Sequence, residues 1–286
     1  MTILLAGCGD LGTEAGLRFA AAGHRVVGWR RSPDKLPAEI EGVAANLSTA
    51  ELPPVPADTT AVVIAVAANA PTEEAYRNAY VNGVAHVLDA LERDGVAPER
   101  VLFVSSTAVH GDAGGGWIDE NTAPAPGGFS GRIVREAEEL LLKRLDGTAT
   151  SPIVLRLGGI YGPGRTRLID QVRTGAAVIP DQPRYTNRIH RDDAAGAIVH
   201  LLSTPDAPSP VYLGVDDDPA ELGDVLRFLA SELGLGVPPT GDVGDARGGN
   251  KRCSNAQLRK TGFAFTYPTF REGYRDILAG VGVRHP

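Results

Sequence analysis

The sequence lacks the marks of several protein classes. No run of about 18 apolar residues occurs in its 286 residues, so we expect no membrane-spanning segment. It has only two cysteines, Cys8 and Cys253, far apart in the chain, which argues against a disulfide framework and fits a reducing cytoplasm. Lysine and arginine are not clustered and the formal net charge is −7, so no nucleic-acid partner is expected, because phosphate binding needs grouped cations.

A signal peptide and a metal site are also not expected. The chain enters a strand-like apolar segment at residues 2–6, without the basic start and the longer apolar stretch of a secretory leader. Its histidines, cysteines and carboxylates show no spacing typical of metal ligands. These absences predict a globular protein of the cytoplasm whose partner is a small molecule.

Short apolar runs alternate with segments of helical periodicity. Each run is rich in Val, Ile or Leu and apolar on both faces, as are the strands of a parallel sheet that is covered on both sides. Helical spacing of apolar residues occurs over residues 73–93 and 133–144. This alternation predicts an α/β fold with a doubly wound, Rossmann-like parallel sheet. The predicted strands cover residues 2–6, 25–29, 61–66, 101–105 and 153–157.

The regular alternation ends near residue 165, where proline and glycine become frequent. We therefore predict a dinucleotide-binding, Rossmann-like domain over residues 1–165 and a small C-terminal, substrate-side lobe made mainly of residues 166–286. A segment near residues 188–216, with a strand at 211–215, is expected to return to the main sheet. The Gly-rich, polar stretch 236–250 is predicted to be a loop.

Three glycines, Gly7, Gly9 and Gly12, follow the first predicted strand and open a helical segment. In this strand–turn–helix setting the G-x-G-x-x-G pattern is typical of a dinucleotide-binding loop. The first glycine permits the tight turn, the second lets a pyrophosphate approach the backbone, and the third lets helix and strand pack closely. The helix N-terminus, at Asp10 and Leu11, then offers its free amides to the phosphates. A plain glycine turn is the alternative.

The end of the second predicted strand indicates which dinucleotide binds. NAD sites usually place a carboxylate there to hold the ribose 2′-hydroxyl, whereas this chain has Arg30, Arg31 and Ser32. Two guanidinium groups and a hydroxyl suit a 2′-phosphate. We therefore predict NADP(H) in preference to NAD(H), with a solvated basic loop as the alternative.

Further short motifs stand at the ends of predicted strands and in the long helix. They read Asn46-Leu47, Ala65-Val66-Ala67-Ala68, Asn82-Gly83, Ser105-Ser106-Thr107-Ala-Val-His110-Gly111, Arg156-Leu-Gly158-Gly159-Ile160-Tyr161-Gly162-Pro163 and Ile189-His190-Arg-Asp192-Asp193. With these motifs the chain resembles the extended short-chain dehydrogenase/reductase family, in its NAD-dependent epimerase/dehydratase group. The resemblance covers most of the chain and implies a Rossmann-like fold with a nicotinamide cofactor.

The resemblance also implies which residues line the cofactor besides the glycine loop. They are Asn46, Leu47, Ala65, Val66, Ala67, Asn82, Ser105, Gly158, Gly159 and Ile160. Members of this family often pair through two long helices, which correspond to residues 73–93 and 130–144 here. A homodimer is therefore expected on the resemblance alone.

The catalytic pair of that family, a Tyr followed four residues later by a Lys, is missing. The family has a Glu four residues after this Lys, and Glu138 matches it. Counting back from Glu138 places Val134 at the Lys position and Ser130 at the Tyr position. An aliphatic hydroxyl is far less acidic than an activated phenol, so Ser130 does not replace the tyrosine alone. Loss of a positioned acid or base costs about 10²–10⁴ in rate, which corresponds to roughly 3–5 kcal/mol of barrier. The chain thus resembles an atypical branch with an altered active site.

Other polar residues of these motifs are candidates for the chemistry. Ser106 matches the Ser or Thr that binds a substrate oxygen in the family, and His110 stands where relatives have Tyr, with a side chain that exchanges protons near neutral pH. A strand-end cap and a packing histidine are the alternatives. Asp192 and Asp193 are expected to cap the helix that follows them. Candidate substrate contacts are Thr107, Tyr161, Arg165 and His190.

Three functions stay open at this point. The first is an NADP(H)-dependent oxidoreductase for a small carbonyl or alcohol, in which Ser106, with His110 or a water, serves the substrate oxygen. The second is a non-catalytic NADP(H)-binding sensor or scaffold, which the residues Ser130 and Val134 favour. The third is an epimerase or dehydratase that uses its cofactor transiently, as relatives do. Fold alone does not decide among them.

Overall fold

The computed structural model describes residues 1–204, 208–244 and 248–286. Within these ranges the central sheet consists of β1 Thr2–Ala6, β2 Arg25–Arg30, β3 Glu41–Ala44, β4 Thr59–Ile64, β5 Arg100–Ser106, β6 Ser151–Leu157 and β7 Val211–Gly214. The strand order is β7-β6-β5-β4-β1-β2-β3, and every neighbouring pair is parallel. The strand order reverses between β1 and β4, which places a ligand crevice at the carboxyl ends of these strands. The predicted doubly wound α/β class is confirmed.

The sheet contains the five predicted strands with small changes at their ends. The strand predicted at 211–215 joins β6 in parallel, so the expected return of the chain to the main sheet is confirmed. The sequence does not predict β3, because this edge strand is mostly exposed and has no apolar run. β4 ends at Ile64, so Ala65 and Val66, predicted as strand residues, begin the loop at the carboxyl edge.

Helices cover both faces of the sheet. They are α1 Asp10–Ala21, α2 Glu73–Tyr76, α3 Gly83–Arg93, α4 Phe129–Leu145, α5 Arg167–Arg173, α6 Arg191–Ser203, α7 Leu222–Glu232, α8 Ala256–Lys260 and α9 Phe270–Leu278. A π-helical stretch, Arg77–Asn82, joins α2 to α3, so the helix predicted over residues 73–93 is continuous but irregular. Short 3₁₀ turns, Pro33–Lys35 and Thr107–His110, follow β2 and β5.

Helix α4 begins at Phe129, earlier than the start predicted near residue 133. The small residues Ser130 and Gly131 interrupt the apolar periodicity, which hides the first turn from a sequence pattern. Gly131 is required there, because a Cβ would lie 2.6 Å from the carbonyl oxygen of Ala108. This close approach places the first turn of α4 against the loop that follows β5.

Short strand pairs join the C-terminal third of the chain to segments that follow β5 and β6, and also join parts of this third to one another. They join Trp117–Ile118 to Arg252–Cys253, Gly159–Tyr161 to Arg188–His190, Ile179–Pro180 to Thr240–Gly241 and Tyr185–Thr186 to Ala220–Glu221. The stretch 236–250, predicted as a loop, therefore contains a short strand, and its residues 245–247 lie outside the described residues.

Apolar layers enclose the sheet on both sides. On one face α1 and α6 bury residues such as Phe19 and Ile198. On the other face α3 and α4 bury residues such as Val87 and Leu141. A separate cluster around Phe270 lies between α5, α7 and α9 and gives the C-terminal lobe its own core. Removal of this apolar surface from water is the main source of stability.

Two further features concern the lengths of the helices and the grouping of metal-binding side chains. No helix within residues 1–204, 208–244 and 248–286 is both long and apolar enough to cross a membrane. The same ranges contain no group of three or more His, Cys, Asp or Glu side chains placed to hold a metal ion.

The substitution Phe103→Ala tests the packing of the apolar layer between the sheet and helices α3 and α4. Phe103 in β5 is fully buried, and its ring lies edge-on to Tyr80 with the centroids 6.4 Å apart. Truncation leaves a cavity in a dense layer, so the free energy of unfolding should fall by about 3–5 kcal/mol. Val237→Ala, at a site that is 69% exposed, should change it by less than about 0.5 kcal/mol. Chemical denaturation measures both, and equal effects of the two variants would contradict this packing.

Candidate functional site

The glycine loop lies at the carboxyl edge of the sheet between β1 and α1. The amides of Gly7 and Cys8 donate to the carbonyl oxygen of Trp29 at 3.1 and 3.0 Å, which ties the loop to β2. Gly7 has a φ of +90°, and a Cβ there would lie 2.5 Å from the carbonyl oxygen of Ala65, so only glycine fits. In front of Gly9, by contrast, no described atom lies within 4 Å of the place a Cβ would take. The loop is therefore an open backbone cradle.

The start of α1 packs closely behind this cradle. A Cβ at Gly12 would lie 3.2 Å from the carbonyl oxygen of Gly7, and Leu11 is buried. The N-cap residue Gly9 provides no side-chain acceptor for the first amides of the helix. The helix start therefore leaves amides available to an anion.

The carboxylate of Asp10, predicted to lie beside the cofactor phosphates, is bound within the protein. It accepts hydrogen bonds from Nε of Arg165 at 2.8 Å, from Nη1 of Arg191 at 3.0 Å and from the amide of His285 at 3.1 Å. Burial opposes ionisation, but these donors outweigh it and hold the pKa of Asp10 below its usual value. Asp10 thus links the helix start to the C-terminal part of the chain.

Residues 282–286 run from Arg191 to the end of β2. The carbonyl oxygen of Val283 accepts a hydrogen bond from Nη2 of Arg191 at 3.0 Å. The carbonyl oxygen of Pro286 accepts one from Nη1 of Arg30, also at 3.0 Å. Arg30, the predicted partner of a 2′-phosphate, therefore already has a main-chain oxygen as a partner, which an anion would have to replace.

The other residues predicted for the adenosine half lie on loops at the same edge. Arg31 and Asn46 are exposed, whereas Ser32 and Leu47 are half-buried. Oδ1 of Asn46 accepts a hydrogen bond from the amide of Ser48 at 3.2 Å, so its side chain holds its own turn.

The loop after β4, residues 65–67, meets the long helix. A Cβ at Gly83 would lie 3.7 Å from Val66 and 3.8 Å from Leu47, so this helix and two loops converge. The side-chain amide of Asn82 donates within its own helix, at 3.0 Å. The structure thus brings the residues predicted for the adenine side close together.

A cleft of about 1130 Å³ opens at the carboxyl end of β5. It is formed by the last residue of β5, the first turn of α4, the segment after β6 and the C-terminal lobe. Residues distant in sequence therefore line one wall. The predicted residues in this wall are Ser106, Thr107, Ser130, Gly158, Gly159, Ile160, Tyr161 and Arg165.

Ser106 and Ser130 bring two hydroxyl groups to the cleft wall. Oγ of Ser106 accepts a hydrogen bond from the amide of Ala108 at 3.2 Å and caps the 3₁₀ turn, which leaves its proton and a second lone pair for a ligand. Val134, one turn after Ser130, is 3% exposed and belongs to an apolar layer. A hydroxyl, without an ammonium group, therefore occupies the place of the catalytic pair.

A buried charge network lies next to Ser106. The two oxygens of Glu138 accept hydrogen bonds from the guanidinium of Arg156 at 2.9 and 2.7 Å, and the side chains are 0% and 2% exposed. Oγ of Ser105 donates to the same carboxylate at 2.5 Å, and Nη1 of Arg135 donates at 3.0 Å. A buried carboxylate needs such partners, so the network binds α4 to β5 and β6. The side chain of Ser105, predicted to line the cofactor, is committed to this network.

His110, predicted as a proton donor, is a buried acceptor. Its Nε2 accepts a hydrogen bond from Nη1 of Arg156 at 3.0 Å, and the residue is 3% exposed. Burial and then the charge of Arg156 lower the pKa of His110 to about 4, so the ring is neutral at pH 7. This arrangement does not favour the predicted role, and the motif could not indicate it, because a motif shows the neighbours of His110 in sequence but not the arginine that binds it.

His190, predicted to face the substrate, is the N-cap of α6. Its Nδ1 accepts a hydrogen bond from the amide of Asp192 at 3.2 Å, and its ring lies 4.0 Å from that of Tyr267. It is 2% exposed, and burial lowers its pKa to about 4. The capping role predicted for Asp192 and Asp193 is also wrong, because the carboxylate of Asp193 accepts the amides of Thr266 and Tyr267 instead.

Tyr161 and Arg165 reach the cleft while bound to other groups. Tyr161 is 4% exposed, its ring lies 4.6 Å from that of Tyr274, and its hydroxyl donates to the carbonyl oxygen of Thr269. Burial raises the pKa of Tyr161 far above its usual range, so the phenol stays protonated. Nε of Arg165 is held by Asp10. Both residues therefore form part of the cleft wall, and their polar groups are already bound to other parts of the protein.

Among the other residues of the wall, the sequence motifs do not single out Tyr76 and Arg188, and they predict no site role for Lys251. The ring of Tyr76 lies edge-on to Phe129, the residue before the vacated tyrosine position, with the centroids 5.4 Å apart. Nζ of Lys251 donates to the carbonyl oxygen of Gly111 at 2.9 Å. Each of these contacts joins segments that are far apart in the chain, so a local sequence pattern cannot predict it.

An open glycine cradle beside a cleft, both at the carboxyl edge of a parallel sheet, defines a Rossmann-like protein of the short-chain dehydrogenase/reductase type. The chain matches the model of the NAD-dependent epimerase/dehydratase family over residues 3–213. It therefore belongs to this family, as its motifs predict.

Individual relatives agree with this assignment. A solved structure from Methylobacillus flagellatus, assigned to the NAD-dependent epimerases/dehydratases, is 35% identical, with 98% of each chain covered and a TM-score of 0.78. Protein YeeZ of Escherichia coli K12 is 28% identical over 277 residues, which are 93% of this chain and 96% of that protein. Human SDR39U1, solved with NADPH, is 18% identical and shares the fold with a TM-score of 0.81 over 98% of this chain and 100% of that chain.

The buried state of His110 predicts a pH dependence of stability. In an unfolded chain a histidine titrates near pH 6.5, whereas folded His110 has a pKa of about 4. The unfolded state therefore binds the extra proton first, and the free energy of unfolding should fall by up to about 3 kcal/mol as the pH drops from about 6.5 to about 4. His190 adds a slope of the same sign.

The variant His110→Gln isolates this contribution, because its amide oxygen still accepts the hydrogen bond from Arg156. Denaturant titrations at several pH values between 7 and 4 should show a smaller loss of stability in the variant than in the wild type. Parallel curves for the two proteins would contradict a neutral, buried His110.

Proposed function

We propose that this protein is an NADP(H)-dependent oxidoreductase that acts on a small carbonyl or alcohol compound. The observation that carries the proposal is that an open glycine cradle and a cleft with the hydroxyls of Ser106 and Ser130 lie at one edge of the sheet. The cofactor supplies the hydride. The residues of the chain bind it, hold the substrate oxygen and deliver the proton.

The residues at the cradle fit a dinucleotide. The free space at Gly9, with Gly7 and Gly12 packed closely behind it, admits a pyrophosphate to the start of α1. Leu47 and Val66 converge on the side expected for the adenine. The NADPH in the structure of SDR39U1 supports a nicotinamide dinucleotide in this chain as well.

The end of β2 supports NADP(H) over NAD(H). Positions 30–32 hold no carboxylate that could bind a 2′-hydroxyl. Nη1 of Arg30 donates to a main-chain oxygen of Pro286, whereas a phosphate can accept hydrogen bonds from two guanidinium nitrogens at once. A 2′-phosphate therefore competes well for Arg30, and Arg31 is exposed beside it.

We propose that Ser106 binds the substrate oxygen and that Tyr76 donates the proton to it. Ser106 has one backbone donor, from Ala108, and lines the cleft. Tyr76 lines the same cleft beside Phe129, and a phenol is a far stronger acid than an aliphatic hydroxyl. We do not assign this role to His110, because it is buried, its Nε2 accepts a hydrogen bond from Arg156, and it is not among the residues that line the cleft.

A second candidate function is a non-catalytic NADP(H)-binding sensor. Val134 places an apolar side chain where the family has its lysine, which favours this function. Residues 282–286 also favour it, because a dinucleotide phosphate at Arg30 would displace the carbonyl of Pro286 and change the position of this segment.

The double variant Arg30→Ala, Arg31→Ala tests the cofactor preference. Its affinity for NADPH should fall at least about tenfold, while its affinity for NADH should stay within about twofold, because only NADPH has a 2′-phosphate. Nicotinamide fluorescence titrations measure both. Arg227→Ala, on the exposed side of α7, is the control for a lost positive charge. Equal losses for the two nucleotides would reject the preference, and failure of the wild type to bind either would reject the function.

Ser106→Ala and Tyr76→Phe test the catalytic assignment. With NADPH and a panel of small aldehydes and ketones, each substitution should lower kcat by about 10²–10⁴ and leave the Kd for NADPH unchanged. Ser106→Thr keeps the hydroxyl and should retain most of the activity. Full turnover by Tyr76→Phe would remove the tyrosine from the mechanism. A wild type that binds NADPH but reduces no carbonyl would favour the sensor.

A further inference from the structure

Arg188 is a buried cation in the wall of the cleft. It begins the short strand Arg188–His190 and lies opposite Gly159 of the neighbouring strand. The residue is only 4% exposed, and a Cβ at Gly158 would lie 3.0 Å from its amide nitrogen. Arg188 therefore lies beside Gly158 and Gly159, which the family resemblance predicts to line the cofactor.

The guanidinium of Arg188 is only partly satisfied. Its Nη2 donates to Oγ1 of Thr186 at 2.5 Å, and its Cζ lies 5.3 Å from the centroid of the Phe270 ring. Its Nη1 is buried and has no hydrogen-bond partner among the described residues. A buried charged donor without an acceptor is costly, and an acceptor brought by a ligand removes that cost.

Neighbouring acidic groups do not neutralise Arg188. Asp216 donates its amide to the carbonyl oxygen of Arg188 at 2.7 Å, but Oδ2 of its own carboxyl also has no partner among the described residues. Burial raises the pKa of Asp216 to about 8 although Arg188 opposes the shift. Burial likewise raises the pKa of the Tyr274 phenol, although its hydroxyl lies close enough to Arg188 for that contact to oppose the shift. Within the described residues, no hydrogen bond joins the carboxyl of Asp216 to Nη1 of Arg188.

The rest of the described wall carries more positive than negative side chains, although one of its cations, Arg165, is paired with Asp10. Lys251 and Arg184 donate to backbone carbonyl oxygens, which are neutral and leave both charges in place. Asp242 is the one carboxylate of this wall within the described residues. The cations are Arg165, Arg167, Arg184, Arg188 and Lys251.

We propose that Arg188 binds an anionic group of the substrate, a carboxylate or a phosphate. Its Nη1 donates to an oxygen of that group, and a guanidinium fork suits the geometry of both anions. The proposal rests on the proposed function and narrows its substrate to a small carbonyl or alcohol compound with an acid group. Ser106 then holds the reacting oxygen while Arg188 holds the acid group, which orients the substrate toward the cofactor.

Anion binding is measurable without turnover. Isothermal titration calorimetry at pH 7, in a chloride buffer, uses inorganic phosphate and glycolate as probes, with and without NADPH. Ethylene glycol, which resembles glycolate without its charge, is the neutral control. The wild type should bind phosphate, glycolate or both saturably and should not bind ethylene glycol. The ratio of the two affinities tells which acid group the site prefers.

Variants of Arg188 connect the binding to this residue. Arg188→Gln keeps a donor for Thr186 but removes the charge and Nη1, and should weaken anion binding at least about tenfold. Arg227→Gln makes the same change of charge on the exposed side of α7 and should keep the affinity within about twofold. Arg188→Lys keeps the charge but not the guanidinium fork and should bind the anion with reduced affinity. It serves as the test if circular dichroism shows that the Gln variant does not fold.

The outcomes separate this proposal from the proposed function. No saturable binding to the folded wild type, or wild-type affinity in a folded Arg188→Gln or Arg188→Lys variant, overturns the anion site and leaves Arg188 as a structural partner of Phe270. Anion binding through Arg188 without binding of NADPH or NADH rejects the oxidoreductase but keeps the site. NADPH binding without anion binding rejects the anion site and leaves the proposed oxidoreductase in place.

Discussion

The buried ion pair of Glu138 and Arg156 is the interaction on which the assembly of the cleft depends. Both side chains are almost fully removed from solvent, and Ser105 adds a hydrogen bond to the carboxylate. Loss of one partner would leave an unpaired charge inside the protein, which is far more costly than loss of a surface pair. The pair joins α4 to β5 and β6, and so holds α4 in the register that places Ser130 in the cleft and Val134 in the core.

Charged contacts also connect the cofactor side of the molecule with its C-terminal part. Asp10 at the start of α1 accepts donors from Arg165, Arg191 and the amide of His285. These three donors come from the segment after β6, from the start of α6 and from the end of the described chain. Asp10 therefore bonds the start of α1 to three segments that follow much later in the chain.

Sequence patterns predict much of the fold but only part of the site. The runs of Val, Ile and Leu predict five strands of the sheet, and the spacing of Gly7, Gly9 and Gly12 predicts the loop that the structure shows. The edge strand Glu41–Ala44 escapes prediction because its residues are mostly exposed. The hydrogen bond of His110 with Arg156 also escapes prediction, because a histidine in a motif reveals neither its burial nor its neighbours in space.

The sequence by itself determined the parallel sheet, the glycine cradle and the absence of the Tyr and Lys pair. These depend on local composition, on periodicity and on register within one helix, all of which are readable along the chain. Only the tertiary structure decided that His110 is neutral, that His190 caps a helix and that Arg188 keeps an unpartnered donor in the cleft. Protonation and hydrogen bonding depend on burial and on partners distant in sequence: Arg156 lies 46 residues from His110.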